Sequence, residues 1–237
     1  MQDILFLDTE TTGIDPLIDR LFQVCYKIGD RLENEFFKPP VPISIKAQSI
    51  SHVTNKMVEG KSEFKYSEMK KELDSLLKDN VLVAHSALFD IDMVEKEGVS
   101  VPRYICTLKV ARFLDPEGAI PEYNLQYLRY YFGLEIEATA HDAKGDVLVL
   151  EAIFKKFYND MLKTYENHEA VLAKMMEVSQ LPSLFQVFPF GKHRGKRIDE
   201  AVMMDRTYVE WLLEKKIQNE EFDEDWIFTL KHHLNVK

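Results

Sequence analysis

Cysteine is scarce in this sequence: Cys25 and Cys106 are the two such residues in a chain of 237. Two are too few to staple a chain of this length, and neither stands in a CxxC metal spacing, so both are expected to be reduced core thiols. Long apolar runs are missing as well. The first, Ile4–Leu7, is stopped by Asp8, and nowhere do about 18 apolar residues occur in a row, the length a membrane-crossing helix needs. Neither a signal peptide nor a membrane span is expected, and the cytoplasm is the default location. Positive charge is in deficit, with 30 Lys and Arg against 40 Asp and Glu for a formal net charge of -10. Tight non-specific binding of a polyanion through the overall field is therefore disfavoured, while a local basic face remains compatible with an acidic whole. Internal repeats and low-complexity tracts are absent too.

What is present has the composition of an ordinary globular protein, 46% hydrophobic and 30% charged. The length suits one α/β domain with a smaller appendage. Ile4–Leu7 reads as a short buried strand, and Gln23–Ile28 and Leu32–Phe37 as the next two, parted by the turn signal Gly29-Asp30. Residues 39–53 hold three prolines and no helical period, so a surface connection is expected there. Tyr66, Met69, Leu73 and Leu76 then mark an amphipathic helix, Val81–Ala84 a strand, and Ile91–Lys96, Thr107–Leu114 and Asn124–Phe132 further helices. The clearest period follows His141: Ala143, Val147, Leu150, Phe154 and Phe157 fall on one helical face. Strands first, then strand and helix in alternation, predict an α/β fold with a mixed sheet and helices on its faces. The expected divisions are a main domain over 1–160, a linker helix over 161–181 and a small α+β unit over 182–237. That last unit begins with an aromatic strand, Phe185–Phe190, followed by a basic turn and helices near Tyr208–Lys215 and Asp225–Leu234.

Three acidic segments carry the chemistry. The first is Asp8-Thr9-Glu10-Thr11-Thr12-Gly13, directly after a strand. Residues i and i+2 of a strand share a side, so Asp8 and Glu10 present paired carboxylates. Such a pair calls for a hard divalent cation between its members, unless the segment is simply an exposed acidic turn. In the second, His85-Ser86-Ala87-Leu88-Phe89-Asp90, Asp90 opens a helix and reads either as a site residue or as an N-cap. The third, His141-Asp142-Ala143-Lys144-Gly145-Asp146, starts the long helix; His141 and Asp146 can reach one cleft, and Asp142 can serve as the cap.

In this order and these settings, the three segments resemble the motifs of the DEDD superfamily of 3′-5′ exonucleases, in its His subtype. The stretches Ile50-Ser51-His52-Val53-Thr54, Asn124-Leu125-Gln126-Tyr127-Leu128 and Ala140-His141-Asp142-Ala143 agree with that resemblance, while Ser86 departs from the Asn common after the first His. The resemblance implies a ribonuclease H-like mixed sheet with helices on both faces and two divalent cations, Mg²⁺ or Mn²⁺. Asp8 would bridge both ions, Glu10 and Asp146 would complete the first site, Asp90 would act through ligand waters, and His141 would take a proton from the attacking water. It also implies that Thr11 and Thr12 meet the terminal sugar, that Gly13 belongs to the same substrate-binding loop, that Ile14 presses on a terminal base, and that His52 and Phe89 line the pocket.

A narrower resemblance, to the bacterial exodeoxyribonuclease X family, rests on Tyr104–Arg112, Phe190–Lys196 and Thr229–Leu234. It implies DNA as substrate, nucleoside 5′-monophosphates as products and a place in DNA repair. The alternatives are an RNA-trimming exonuclease of the same superfamily and a non-catalytic accessory subunit of a polymerase or repair complex. Lys192, Arg194, Lys196 and Arg197 form a basic turn with no acid among them, a candidate phosphate contact. Phe188, Phe190, Tyr208 and Trp211 are expected to make the small core rather than a base-stacking platform.

Overall fold

The structure, a computed structural model, describes residues 4–15, 17–137, 142–218 and 223–236. His141 lies outside the described residues. The chain divides into two compact units, residues 1–108 with 124–176 and residues 109–123 with 177–237.

The first unit is organised by a five-stranded sheet in the order β3-β2-β1-β4-β5, formed by β1 (Ile4–Thr11), β2 (Leu21–Ile28), β3 (Arg31–Phe36), β4 (Val81–Ala84) and β5 (Tyr104–Cys106). β1, β2 and β3 pair antiparallel, and β4 and β5 join parallel, so the expected mixed sheet is formed. The two-residue turn between β2 and β3 needs a left-handed first residue, and Gly29 supplies it at φ 56°. β1 runs four residues past the apolar run read from the sequence. Asp8 and Glu10 thus stand within the strand, opposite Cys25 and Gln23 of β2, because backbone pairing continues past the point where hydrophobicity ends.

The two faces of β1 differ by parity. Leu5 and Leu7 enter a core with Met69, Leu73 and Leu77 of α3 (Glu68–Asp79) and with Ile91 and Val94 of α4 (Ala87–Lys96). Phe6 points the other way, its ring 5.4 Å from that of Phe154 on α7 (Ala143–Met161). Every apolar residue of the predicted α7 stripe is buried, and helices cover both faces of the sheet. Tyr66, placed in the α3 stripe by spacing, precedes that helix in a short 3-10 turn and is exposed. Residues 39–53 are not wholly irregular. Beyond the last proline, Ser44 caps α1 (Ile45–Ser51) by accepting from the Ala47 amide, and α2 (Asn55–Val58) follows. The unit continues with the start of α5 (Thr107–Leu114), then α6 (Leu125–Tyr131), and ends within α8 (His168–Gln180).

In the second unit α9 (Ile198–Met204), α10 (Arg206–Ile217) and α11 (Glu224–Leu234) pack around Phe188, Val209, Leu212 and Leu230. The predicted strand over Phe185–Phe190 does not form. One isolated bridge, Val187 to Arg197, stands in its place, since the chain turns back within ten residues and leaves no partner long enough for a ladder. The α+β tail is thus, among its described residues, helical with a single bridge. Helix α9 is not among the predicted elements, because its seven residues are too short to show a period. Phe188 and Tyr208 join the core as expected, whereas Trp211 remains 49% exposed. Among the described residues of the chain, no helix is long and apolar enough to cross a membrane.

Candidate active site

The even side of β1 carries the acids. Since Phe6 faces α7, the two-residue period sends Asp8 and Glu10 to the same side, toward the first turn of α7 where Asp146 stands. Asp8, Glu10 and Asp146 each offer a carboxylate oxygen, and these atoms lie within 4.8 Å of one another. Asp90 is outside that trio. It is not the N-cap of α4, a place taken by Ser86 at φ 59°, but sits inside the first helical turn, 4% exposed. Its Oδ1 accepts from the Thr9 amide at 3.0 Å and from Thr9 Oγ1 at 2.8 Å. Thr9 faces away from Asp8 and Glu10, so β1 places two carboxylates on one side and anchors a third acid from the other.

Crowding changes the acidity of these groups. Burial, then the charges of Asp90, Asp146, Glu10 and Asp142, holds the Asp8 carboxyl well above the usual carboxylate range. Burial and the neighbouring Asp146, Asp142 and Asp90 push Glu10 up to about 8. Asp90 rises to about 7 through burial, against the pull of the Thr9 hydrogen bonds. Like charges this close require protons or a cation among them. An all-oxygen donor set of three carboxylates fits a hard divalent ion, so the cluster suits a divalent metal.

Several supporting groups surround these acids, of which Gln23 gave no signal in the sequence while Gln126 and His85 lie in segments that carry the resemblance. Gln23, 1% exposed on β2, donates through Nε2 to Asp142 Oδ1 at 2.8 Å and to Asn34 Oδ1 at 2.9 Å, fixing the residue that caps α7. Gln126 Nε2 donates to Asp146 Oδ1 at 2.5 Å. His85 Nδ1 meets Thr107 Oγ1 at 2.9 Å, tying the end of β4 to the start of α5.

The expected substrate residues divide. Thr12 is fully buried and turned into its own loop: its hydroxyl donates to Asp19 Oδ1 at 2.7 Å and accepts from the Arg20 amide at 3.1 Å. Its side chain is thus engaged within the loop. Thr11 Oγ1 donates to the Gly13 carbonyl at 2.6 Å. A Cβ on Gly13 would lie 2.4 Å from Asp19 Oδ2, so a larger residue there would have to displace the carboxylate that takes the Thr12 hydroxyl. Ile14 is 79% exposed just beyond it. His52 caps the C-terminus of α1 at φ 60° with its side chain exposed, and Phe89 is half-buried against the core of the first unit.

In the second unit the basic turn is less free than its sequence implies. Lys192 Nζ pairs with Asp205 Oδ2 at 2.5 Å, and Arg197 pairs with Asp199 at 3.2 Å. Buried His193 also reaches Asp205, at 3.0 Å. Arg194 and Lys196 are exposed and make no ion pair among the described residues.

Known proteins resemble the chain over most of its length. A model of the exonuclease family (RNase_T) matches residues 5–154, a span that contains Asp8, Glu10, Asp90 and Asp146. Exodeoxyribonuclease 10 of Escherichia coli (strain K12) is 27% identical over 235 residues, covering 96% of this chain and 97% of that protein. DNA polymerase III subunit epsilon of Treponema pallidum (strain Nichols) is 30% identical over 159 residues, covering 62% of this chain and 72% of that one. A solved exonuclease X in complex with 5′ overhanging duplex DNA superimposes with a TM-score of 0.58 at 23% identity, over 74% of this chain and 99% of that chain, a likeness of fold.

Proposed function

The chain belongs to the exonuclease family, and from that premise we propose that it hydrolyses DNA stepwise from 3′ ends, releasing nucleoside 5′-monophosphates during repair of DNA in the cytoplasm. The observation that carries this reading is the trio Asp8, Glu10 and Asp146, with carboxylate oxygens that lie within 4.8 Å of one another. Two divalent cations, Mg²⁺ or Mn²⁺, would be held there and would supply charge neutralisation at the scissile phosphate and a more acidic water.

The residues of the chain do the rest. Asp8, Glu10 and Asp146 would hold the ions, and Asp90, fixed by Thr9, would act through water bound to them. His141 accepts the proton of the attacking water, a role for which an imidazole is suited because its ordinary value of about 6.5 lies just below neutral pH. The water oxygen bonds to phosphorus as the P–O3′ bond breaks, and the leaving oxygen takes up a proton. The backbone of the Thr11–Gly13 loop, Ile14, His52 and Phe89 seat the terminal nucleotide. Lys192 and Arg194 contact phosphates further along the strand.

The near-full-length alignment with a bacterial exodeoxyribonuclease supports DNA over RNA, and the acids present at every expected position argue against a non-catalytic accessory subunit. The test is a product ladder on 3′-labelled and 5′-labelled DNA and RNA oligonucleotides of one sequence, with and without Mg²⁺. Mononucleotides released first from the 3′ label, only with metal and faster from DNA, are the expected outcome. A higher kcat/KM on RNA would hand the site to RNA trimming, and cleavage that ignores metal would remove the metal reading.

A further inference from the structure

Asp146 stands in a crowd of like charges, and a carboxylate so placed turns away from its neighbours unless something holds it. Two residues of α6 supply the hold. Gln126, in the first turn of that helix, donates its Nε2 hydrogen to Asp146 Oδ1 at 2.5 Å. One turn on, at the i+3 spacing that brings side chains together on a helix, Arg129 donates from Nη1 to Gln126 Oε1 at 3.3 Å. Its Nη2 donates to the backbone carbonyl of Ile136. Arg129 is 9% exposed, an unusual state for a guanidinium, and its burial places that cation where it orients the amide.

This arrangement settles the orientation of the amide. Rotated by half a turn, Gln126 would set its Nε2 against a guanidinium and its Oε1 against a carboxylate, two repulsions in place of two attractions. The type of donor matters as well. A Lys or Arg in place of Gln126 would neutralise the acids and compete with a divalent ion for them. An amide fixes the carboxylate while adding no charge.

Resting on the reading of the trio as a metal site, we propose that Gln126 is a positioning residue for Asp146, oriented by Arg129, and that this relay sets how tightly Asp8, Glu10 and Asp146 hold a divalent cation. Partners of this kind, which hydrogen-bond a ligand instead of the ion, typically change metal affinity by about 10 to 100 fold when removed.

The experiment is a calorimetric titration of the full-length protein with Mn²⁺ in the absence of nucleic acid, for the parent, Asp146→Ala, Gln126→Met and Gln126→Asn. Met keeps the length of the side chain and lacks the N–H. Asn keeps the amide and draws it back by one methylene. Both Gln126 variants should raise the Mn²⁺ Kd by about 10 to 100 fold, with the melting temperature of the metal-free protein close to the parent's. The Mn²⁺ concentration for half-maximal hydrolysis should rise in step, and saturating Mn²⁺ should recover most of the turnover. A purely structural role would lower the melting temperature and leave the Kd of the folded fraction alone. An Mn²⁺ Kd within twofold of the parent in both variants would overturn the proposal while leaving the metal reading intact. Failure of the parent itself to bind Mn²⁺, or unaltered binding in Asp146→Ala, would overturn the metal reading and the proposal with it.

Discussion

Charges of one sign gather twice in this chain, once on β1 and α7 of the first unit and once in the Gly191–Arg197 turn of the second, and their surroundings are opposite. None of the ion pairs among the described residues involves Asp8, Glu10 or Asp90, and burial makes all three weaker acids than usual. In the turn, Lys192 and Arg197 each meet an aspartate, and the Asp205 carboxyl is held below its usual range chiefly by its hydrogen bond from Lys192, then by that from His193. One cluster keeps its electrostatic conflict, and the other has half of its charge answered. Unanswered, buried charge costs stability, so its persistence marks the place where an external charge is expected to bind.

The comparison is broken most severely by removing a carboxylate of the trio. Asp8→Ala or Asp146→Ala should abolish hydrolysis while the protein still melts cooperatively. Normal turnover in either purified variant would show that the conflict at β1 has no catalytic purpose. Next in size, His141→Ala should lower kcat by about 10² to 10⁴ fold, the usual cost of losing a positioned proton acceptor, with the Mn²⁺ affinity nearly unchanged. A kcat equal to the parent's would remove His141 from the reaction.

A smaller effect concerns stability against pH. Glu10 titrates at 4.5 when free and at about 8 in the fold, so across that interval the metal-free native state binds more protons than the unfolded chain. Stability is therefore highest below the free value and falls as pH rises through the folded one, and Asp90 acts in the same direction. Thermal melts of the metal-free protein should show a declining midpoint from pH 5 toward pH 8, and saturating Mg²⁺ or Mn²⁺ should flatten the decline. A midpoint that rises with pH in the metal-free protein would contradict the crowding.

The smallest effect belongs to the turn. Replacing Arg194 and Lys196 together by Gln should flatten the salt dependence of binding to long duplex DNA, by about 0.9 in log K against log salt for each phosphate that is no longer neutralised. Lys192→Gln and Arg197→Gln should change it less, because those cations are already paired with Asp205 and Asp199. Equal slopes in all the variants would assign the turn another purpose.

Much of the fold is open to reading because its determinants are local. The alternation of β1, the Gly29-Asp30 turn and the α7 stripe each depend on which side chains must be buried within a few residues of chain. Short segments carry too little period to be read, as with α1, α9 and the strand expected at Phe185–Phe190. Thr12 escapes a local reading for a related cause: nothing in its neighbours tells that Asp19, seven residues on, folds back to take its hydroxyl.

By itself, then, the sequence determined that an acidic pair would lie on one face of a first strand and that a third acid would open the long helix α7. The geometry of a two-residue and a 3.6-residue period leaves little choice. Tertiary structure alone decided which polar groups meet across distance: Thr9 with Asp90 over 81 residues, Gln23 with Asp142 over 119, Gln126 with Asp146 over 20, and Lys192 with Asp205 over 13. Such partners follow from how helices and strands pack, and packing is a property of the whole core, which no local pattern of residues contains.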